Sequence, residues 1–185
     1  MMIKIDTSKW KPFKIDDLFY KLELKCLKKE FNKSFDVSEI RTEEFDLPLV
    51  NAKHFNNGIM YYGRSSDFES DEMTIDIVCD GAASTGDVYA QPQRTGVLYN
   101  AYLVKPKFVC NSECLLHYFA IVIEKCVKDH FGYDEKCTWD KVKKETIMLP
   151  VDSNGEPDWK YMENYMKTIE ARVRDSLSRL EKVCN

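Results

Sequence analysis

Residues 73–107 read MTIDIVCDGAASTGDVYAQPQRTGVLYNAYLVKPK, and the alternation within this stretch decides the fold. Met73, Ile75 and Ile77 alternate with Thr74 and Asp76, the period of a strand with one face in a core and the other toward water. Asp80-Gly81 turns the chain, and Ala82–Gly86 is a loop of small residues closed by a second glycine. Val88-Tyr89 resumes an extended run, Gln91–Gly96 is a second polar loop, and Val97–Val104 is β-branched and aromatic until Pro106 stops it. Three strands joined by two loops of small, amide and hydroxyl residues make a recognition surface. No nucleophile–base pair stands among them.

Toward the N-terminus, Trp10–Phe19 predicts a short strand entering a helical turn. Leu22–Arg41 is charge-rich, with helical propensity at Leu24–Phe31. Phe45–Ala52 reads as extended but, interrupted by Pro48, as an edge or irregular strand. Asn56-Asn57-Gly58-Ile59 is a turn leading into a strand at Met60–Tyr62, and Gly63–Asp71 is a polar loop. Toward the C-terminus, Asn111 or Ser112 caps a helix beginning near Glu113 that is apolar on nearly every side and therefore buried against the sheet. A short amphipathic segment at Trp139–Lys144, a last strand at Ile147–Val151 and a turn at Asp152–Gly155 follow. The predicted class is α/β (α+β): a mixed, mostly antiparallel sheet with a buried helix, then a long C-terminal coiled-coil helix. Residues 1–154 form the recognition domain and 155–185 the helix.

That helix is capped by Asp158. Trp159, Met166, Val173 and Leu180 are spaced by seven, and Met162, Ile169, Ser176 and Val183 fall three after each, a heptad pattern roughly 40 Å long. The seven-residue period favours a partner helix over packing on the chain's own domain. Polar Ser176 weakens the seam.

At 185 residues, 44% hydrophobic and 31% charged, the chain suits one domain or one domain with an appendage. Its 27 Lys+Arg against 31 Asp+Glu, net -4, counts mildly against nucleic-acid binding, which nonetheless needs only a local basic face. No apolar run spans a membrane and MMIKIDTSKWKPF has no signal-peptide core, so a cytoplasmic location is expected. Seven scattered cysteines fit a reducing compartment. The close pair Cys110 and Cys114, with His117 nearby, is too thin for zinc, and His130 reads as a cation favoured near a helix C-terminus. No metal or cofactor is expected. There is no phosphate loop, zincin motif, nucleophile elbow or amino-methyltransferase signature. Asp16, Glu23 and Lys25 have a nuclease-like spacing, but in so charged a chain this reads first as a solvated face.

The order of motifs resembles a known family. Trp10, Phe13, Ile15, Asp17 and Phe19, then Asn56–Ile59, then Gly81, Gly86 and Tyr89, then Ile147–Val151, then Gly155 through Met166, resemble one target recognition domain of a type I restriction-modification DNA specificity subunit. The chain departs at Leu22–Arg41, a charged insertion. It resembles half a subunit, with one domain and one helix. The resemblance implies a non-catalytic protein that binds double-stranded DNA and positions a separate methyltransferase subunit, and in some systems a restriction subunit. The long helix, through Trp159, Met162, Met166, Ile169, Val173, Leu180 and Val183, would form a homodimer or pair with the methyltransferase. Candidate DNA contacts by residue type are Lys53, His54, Asn56, Asn57, Arg64, Ser65, Ser84, Thr85, Gln91, Gln93 and Arg94. Two other classes stay open: an interaction module acting through the helix without DNA, and a Mg-dependent nuclease.

Overall fold

The computed structural model describes residues 6–184 except 129 and 133, with side chains through Lys182. In chain order the elements are β1 (Lys11–Lys14), α1 (Ile15–Leu18), β2 (Phe19–Lys21), α2 (Lys33–Asp36), β3 (Val37–Ser38), β4 (Leu47–Val50), β5 (Ile59–Gly63), β6 (Thr74–Val78), β7 (Val88–Gln91), β8 (Gly96–Val97), β9 (Ala101–Pro106), α3 (Glu113–Lys128), α4 (Trp139–Val142), β10 (Thr146–Leu149) and α5 (Trp159–Cys184). Short 3₁₀ turns occupy Asn56–Gly58 and Ala82–Ser84.

The stretch at 73–107 does organise the molecule. β6 lies between β7 and β9, antiparallel to both, in a sheet of order β2-β9-β6-β7. Ile75 and Ile77 share a face with Val88, Ala90, Tyr102 and Val104, their cross-strand partners. The buried face of α3, including Leu116, Phe119 and Ile123, joins them in one apolar cluster. Burial of each large side chain there contributes about 1.5–3 kcal/mol. β1 pairs with β10, and Ile147 and Leu149 extend the cluster. The result is a mixed α+β fold of mostly antiparallel sheets and a long C-terminal helix.

Four expectations need correction. The opposite face of β6 is not in water: Thr74 and Asp76 are fully buried, because the Asn56–Gly58 turn lies across it. Leu24–Phe31 is not helical. Its backbone instead bonds across to the 67–69 loop, Leu27 N–H to Asp67 O at 2.8 Å and Glu69 N–H to Lys25 O at 2.9 Å, so tertiary pairing overrides propensity. β4 is an interior strand of a second sheet, β3-β5-β4-β8, so the edge alternative is corrected, while the irregular one holds in a register shift between Leu49 and Val50. β8 pairs only with Leu49 and Val50, so Pro48 needs no amide on that side. The run Val97–Val104 is two strands, divided at Asn100, whose φ is +54°, and serving different sheets.

α5 begins where expected, with the Tyr161 amide donating to the Asp158 carboxylate at 2.9 Å. Its first turns belong to the core. Trp159 stacks on Phe108 at 4.2 Å, Met162 is completely buried and Met166 nearly so. Beyond them Val173, Leu177 and Leu180 are 52%, 54% and 61% exposed. The apolar stripe Met162, Met166, Ile169, Val173, Leu177, Leu180 advances in steps of four, three, four, four and three. Met166, Val173 and Leu180 keep their spacing of seven within it, and Leu177, not Ser176, continues the exposed end of the stripe. The side chain of Val183 lies outside the described residues.

Candidate functional site

Two of the polar loops meet on β7, the last strand of its sheet. The Asn57 amide donates to the Ala90 carbonyl at 3.0 Å and to Gln91 Oε1 at 3.1 Å, and the Gln91 amide donates back to the Asn57 carbonyl at 2.7 Å. This reciprocal pair joins residues 34 apart and docks the 53–58 loop beside the one that starts at Gln91.

The docked loop is built from an uncommon backbone. Phe55, Asn56, Asn57 and Gly58 all have positive φ, at 64°, 49°, 54° and 72°. Asparagine tolerates this region and glycine is at ease in it. Gly58 is also required by space, because a Cβ there would lie 2.3 Å from Asp76 Oδ2. Phe55, with ψ at -170°, sits where residues other than glycine rarely go, at a cost of about 1–3 kcal/mol.

Polar contacts offset that strain. The Phe55 amide donates to the Tyr89 hydroxyl at 2.9 Å, and that hydroxyl donates to Asp87 Oδ2 at 3.2 Å. His54 Nδ1 lies 2.6 Å from the same oxygen, and Lys128 of α3 pairs with the other. Asp87 is buried. Burial, more than the nearby Asp87 charge, pushes the Tyr89 phenol up to about 12. The anchored loop leaves the Phe55 ring 71% exposed and packed against His54, ring centroids 3.8 Å apart.

Beneath the loop, both Asp76 carboxylate oxygens and Thr74 Oγ1 lack a hydrogen-bond partner among the described residues. Burial, then the Asp87 charge, raises the Asp76 carboxyl well above the usual carboxylate range, which favours its neutral form.

The candidate contacts divide. His54, Asn56, Asn57, Gln93 and Arg94 are exposed and Lys53 is half-buried. The Asn56 amide is turned inward to the Ile59 carbonyl at 2.8 Å, and that of Asn57 to β7. Arg94 meets the hydroxyl of Ser70 at 3.1 Å and no carboxylate among the described residues, so its charge is available. Arg64 is not available. It pairs with Glu44 at 2.7 Å and with Asp36 and Asp67 at 3.3 Å each, and lies over the Phe45 ring. Its guanidinium, held above its ordinary value chiefly by the Glu44 hydrogen bond, ties the Leu22–Arg41 insertion at Asp36 to Glu44 just beyond it. Ser65 donates to Asp46 at 2.8 Å. Ser84, Thr85 and Gln91 are buried: Ser84 Oγ donates to the Gly81 carbonyl at 2.9 Å and Thr85 Oγ1 accepts from the Gly81 amide at 3.0 Å. Arg64, Ser84, Thr85 and Gln91 are thus engaged inside the fold, whereas Ser65 stays exposed while its hydroxyl is held by Asp46.

Phe55 was absent from the expected contacts. Its signal in the sequence is a large aromatic between polar residues, in KHFNNG. The nuclease spacing does not form a cluster: Asp16 pairs with Lys107, Glu23 with Lys21, and the Lys25 amide donates to Glu69. Cys110, Cys114 and His117 do not converge either: the Cys110 thiol donates to the Ser112 carbonyl and the Cys114 thiol to Glu170.

Comparison with known proteins gives a consistent result. Residues 7–179 match the family model described as type I restriction modification DNA specificity domain. The chain is 24% identical over 165 residues to the type II restriction enzyme BgcI specificity subunit S.BcgI of Heyndrickxia coagulans, covering 89% of this chain and 44% of that protein. Among solved structures it resembles the type I restriction-modification system S subunit of M. genitalium, with TM-score 0.58, 17% identity, and coverage of 97% of this chain and 44% of that one. It also resembles the HsdS subunit of Thermoanaerobacter tengcongensis, with TM-score 0.55, 12% identity, and coverage of 93% and 40%. The chain thus spans less than half the length of these relatives.

Proposed function

The chain belongs to the family of type I restriction modification DNA specificity domains, and from that premise we propose that it is a non-catalytic DNA-recognition unit whose loops at 53–57 and 91–96 read duplex DNA. The observation that carries this reading is the mutual docking of Asn57 and Gln91, which holds two loops of exposed polar residues side by side on β7. Gln93 is suited to the edge of adenine and Arg94 to guanine or phosphate. Phe55, rigidly held and exposed, is suited to contact with a thymine methyl or to wedging at a base step. Lys53 and Arg94 supply the positive charge that a chain of net -4 must concentrate locally.

The outer half of α5 serves assembly. Val173, Leu177 and Leu180 are suited to burial against a second helix, either from another copy or from a methyltransferase subunit. The recognition body, taken as residues 1–154, extends into the first turns of α5, so the spacer proper begins near Val173. Two copies paired antiparallel would supply the two recognition domains that a protein of twice the length carries, and would read an inverted repeat with a fixed gap. A methyltransferase, and in some systems a nuclease, would act at the site so marked. Binding to random duplex at several salt concentrations separates this from a protein-only interaction module: affinity should fall with salt in proportion to the phosphates contacted. Binding that is absent at low salt argues for the module.

A further inference from the structure

Away from the loops, three side chains of different chemistry converge at the end of α3. Cys126 lies in the last turn of α3 and His130 just beyond its end, where the His130 amide donates to the Val127 carbonyl at 3.1 Å. Glu145 reaches them from the turn before β10. His130 Nδ1 is 2.7 Å from Glu145 Oε2. The Cys126 thiol donates to the carbonyl of Thr146, next in the chain to Glu145, at 3.7 Å. One sulfur, one imidazole nitrogen and one carboxylate oxygen all lie within 4.8 Å of one another.

We propose that Cys126, His130 and Glu145 form a zinc-binding site. Thiolate, imidazole and carboxylate are all zinc ligands, with bonds of about 2.0–2.3 Å. A tetrahedral set of such bonds spaces the donors roughly 3.3–3.8 Å apart, so small side-chain rotations close the observed triangle. Sulfur and nitrogen donors disfavour magnesium and calcium, which take oxygen. Cys126 and His130 also line a groove of about 680 Å³ between α3, β10 and α5. Water or a partner's side chain would complete the four-coordinate shell. Binding releases the Cys126 proton and replaces the sulfur–carbonyl hydrogen bond with a metal bond. The ion then clips the end of α3 to the turn before β10. The expectation of no metal came from the Cys110–Cys114 pair, and the working trio is spread over 20 residues with no recognisable spacing.

Cobalt titration of the chelator-treated full chain tests this. One equivalent of Co²⁺ should give a thiolate-to-metal charge-transfer band and the visible bands of a tetrahedral ion, and Zn²⁺ should displace it and raise the melting temperature. Cys126→Ser should abolish the charge-transfer band, while Cys110→Ser should retain it. His130→Ala, at an exposed position, and Glu145→Gln, an isosteric change at a half-buried one, should weaken binding by more than the roughly 10–100-fold typical of an outer-shell loss. A simple His130–Glu145 ion pair gives no stoichiometric cobalt–thiolate band, and that result overturns the site. A band that survives Cys126→Ser overturns it equally.

Discussion

The two halves of α5 carry one continuous apolar stripe and meet opposite fates. Met162 and Met166 are sealed in the chain's own core, whereas Val173, Leu177 and Leu180 stand more than half exposed. The residue types are alike and so is the spacing. What differs is the presence of α3, whose contacts end before the last turns begin. The stripe alone does not separate the halves, and the reach of the neighbouring element decides which part of it the chain itself covers.

Substitutions along the stripe should separate the halves. Met162→Asp should have the largest effect and abolish cooperative unfolding, since even Met→Ala in such a site costs about 2–5 kcal/mol and a buried unpaired carboxylate costs more. Leu180→Asp should shift the urea midpoint hardly at all, a change within about 0.5 kcal/mol. Equal destabilisation by both would erase the distinction. Next, Val173→Glu, Leu177→Glu and Leu180→Glu combined should dissociate the assembly while leaving unfolding of the monomer, measured at concentrations too low for assembly, unchanged. At about 1.5–3 kcal/mol for each buried side chain, the association constant should fall by roughly 10³-fold or more, measured by sedimentation with and without a methyltransferase subunit. A wild-type chain that is monomeric in both conditions contradicts a covered outer half.

The same contrast, between groups used inside and groups left outside, applies to the two arginines. Arg64→Ala should lower the urea midpoint, because it strips hydrogen bonds from Glu44, Asp67 and the buried Asp36, and should barely alter DNA affinity. Arg94→Ala should do the reverse, leaving thermal unfolding in place and reducing the salt slope of binding by about one.

A smaller effect is expected at Asp76. Its folded pKa is raised, so the folded chain holds the proton more tightly than the unfolded chain. Its contribution to stability is present below about pH 4, the unfolded value, and is lost as pH rises toward the folded value. Asp76→Asn should therefore exceed wild type in stability at neutral pH, with the gap closing as pH falls toward 4. A gap that is constant from pH 4 to 7 contradicts a neutral buried carboxyl.

These contrasts mark how far the sequence could be read. β6, α3 and the Asp158 cap were legible because each rests on local periodicity or on a single capping residue. The interior place of β4 was not, since the reason Pro48 fits lies in how little of the strand β8 covers. Leu24–Phe31 misled because its pairing with residues 67–69 outweighs local propensity. At the candidate site, His54, Gln93 and Arg94 were identifiable by residue type. The burial of Gln91 and the commitment of Arg64 depend on partners 34 and 20 residues away, which no motif encodes.

Whether these loops read bases can be decided by binding-site selection from a randomised duplex pool, with wild type and the Phe55→Ala, Gln93→Ala, Arg94→Ala triple variant in parallel. Wild type should enrich a single motif, repeated in inverted orientation when the helices pair, while the folded variant should retain only weak, salt-sensitive binding without a motif. Enrichment of the same motif by both chains would contradict base reading by the 53–57 and 91–96 loops.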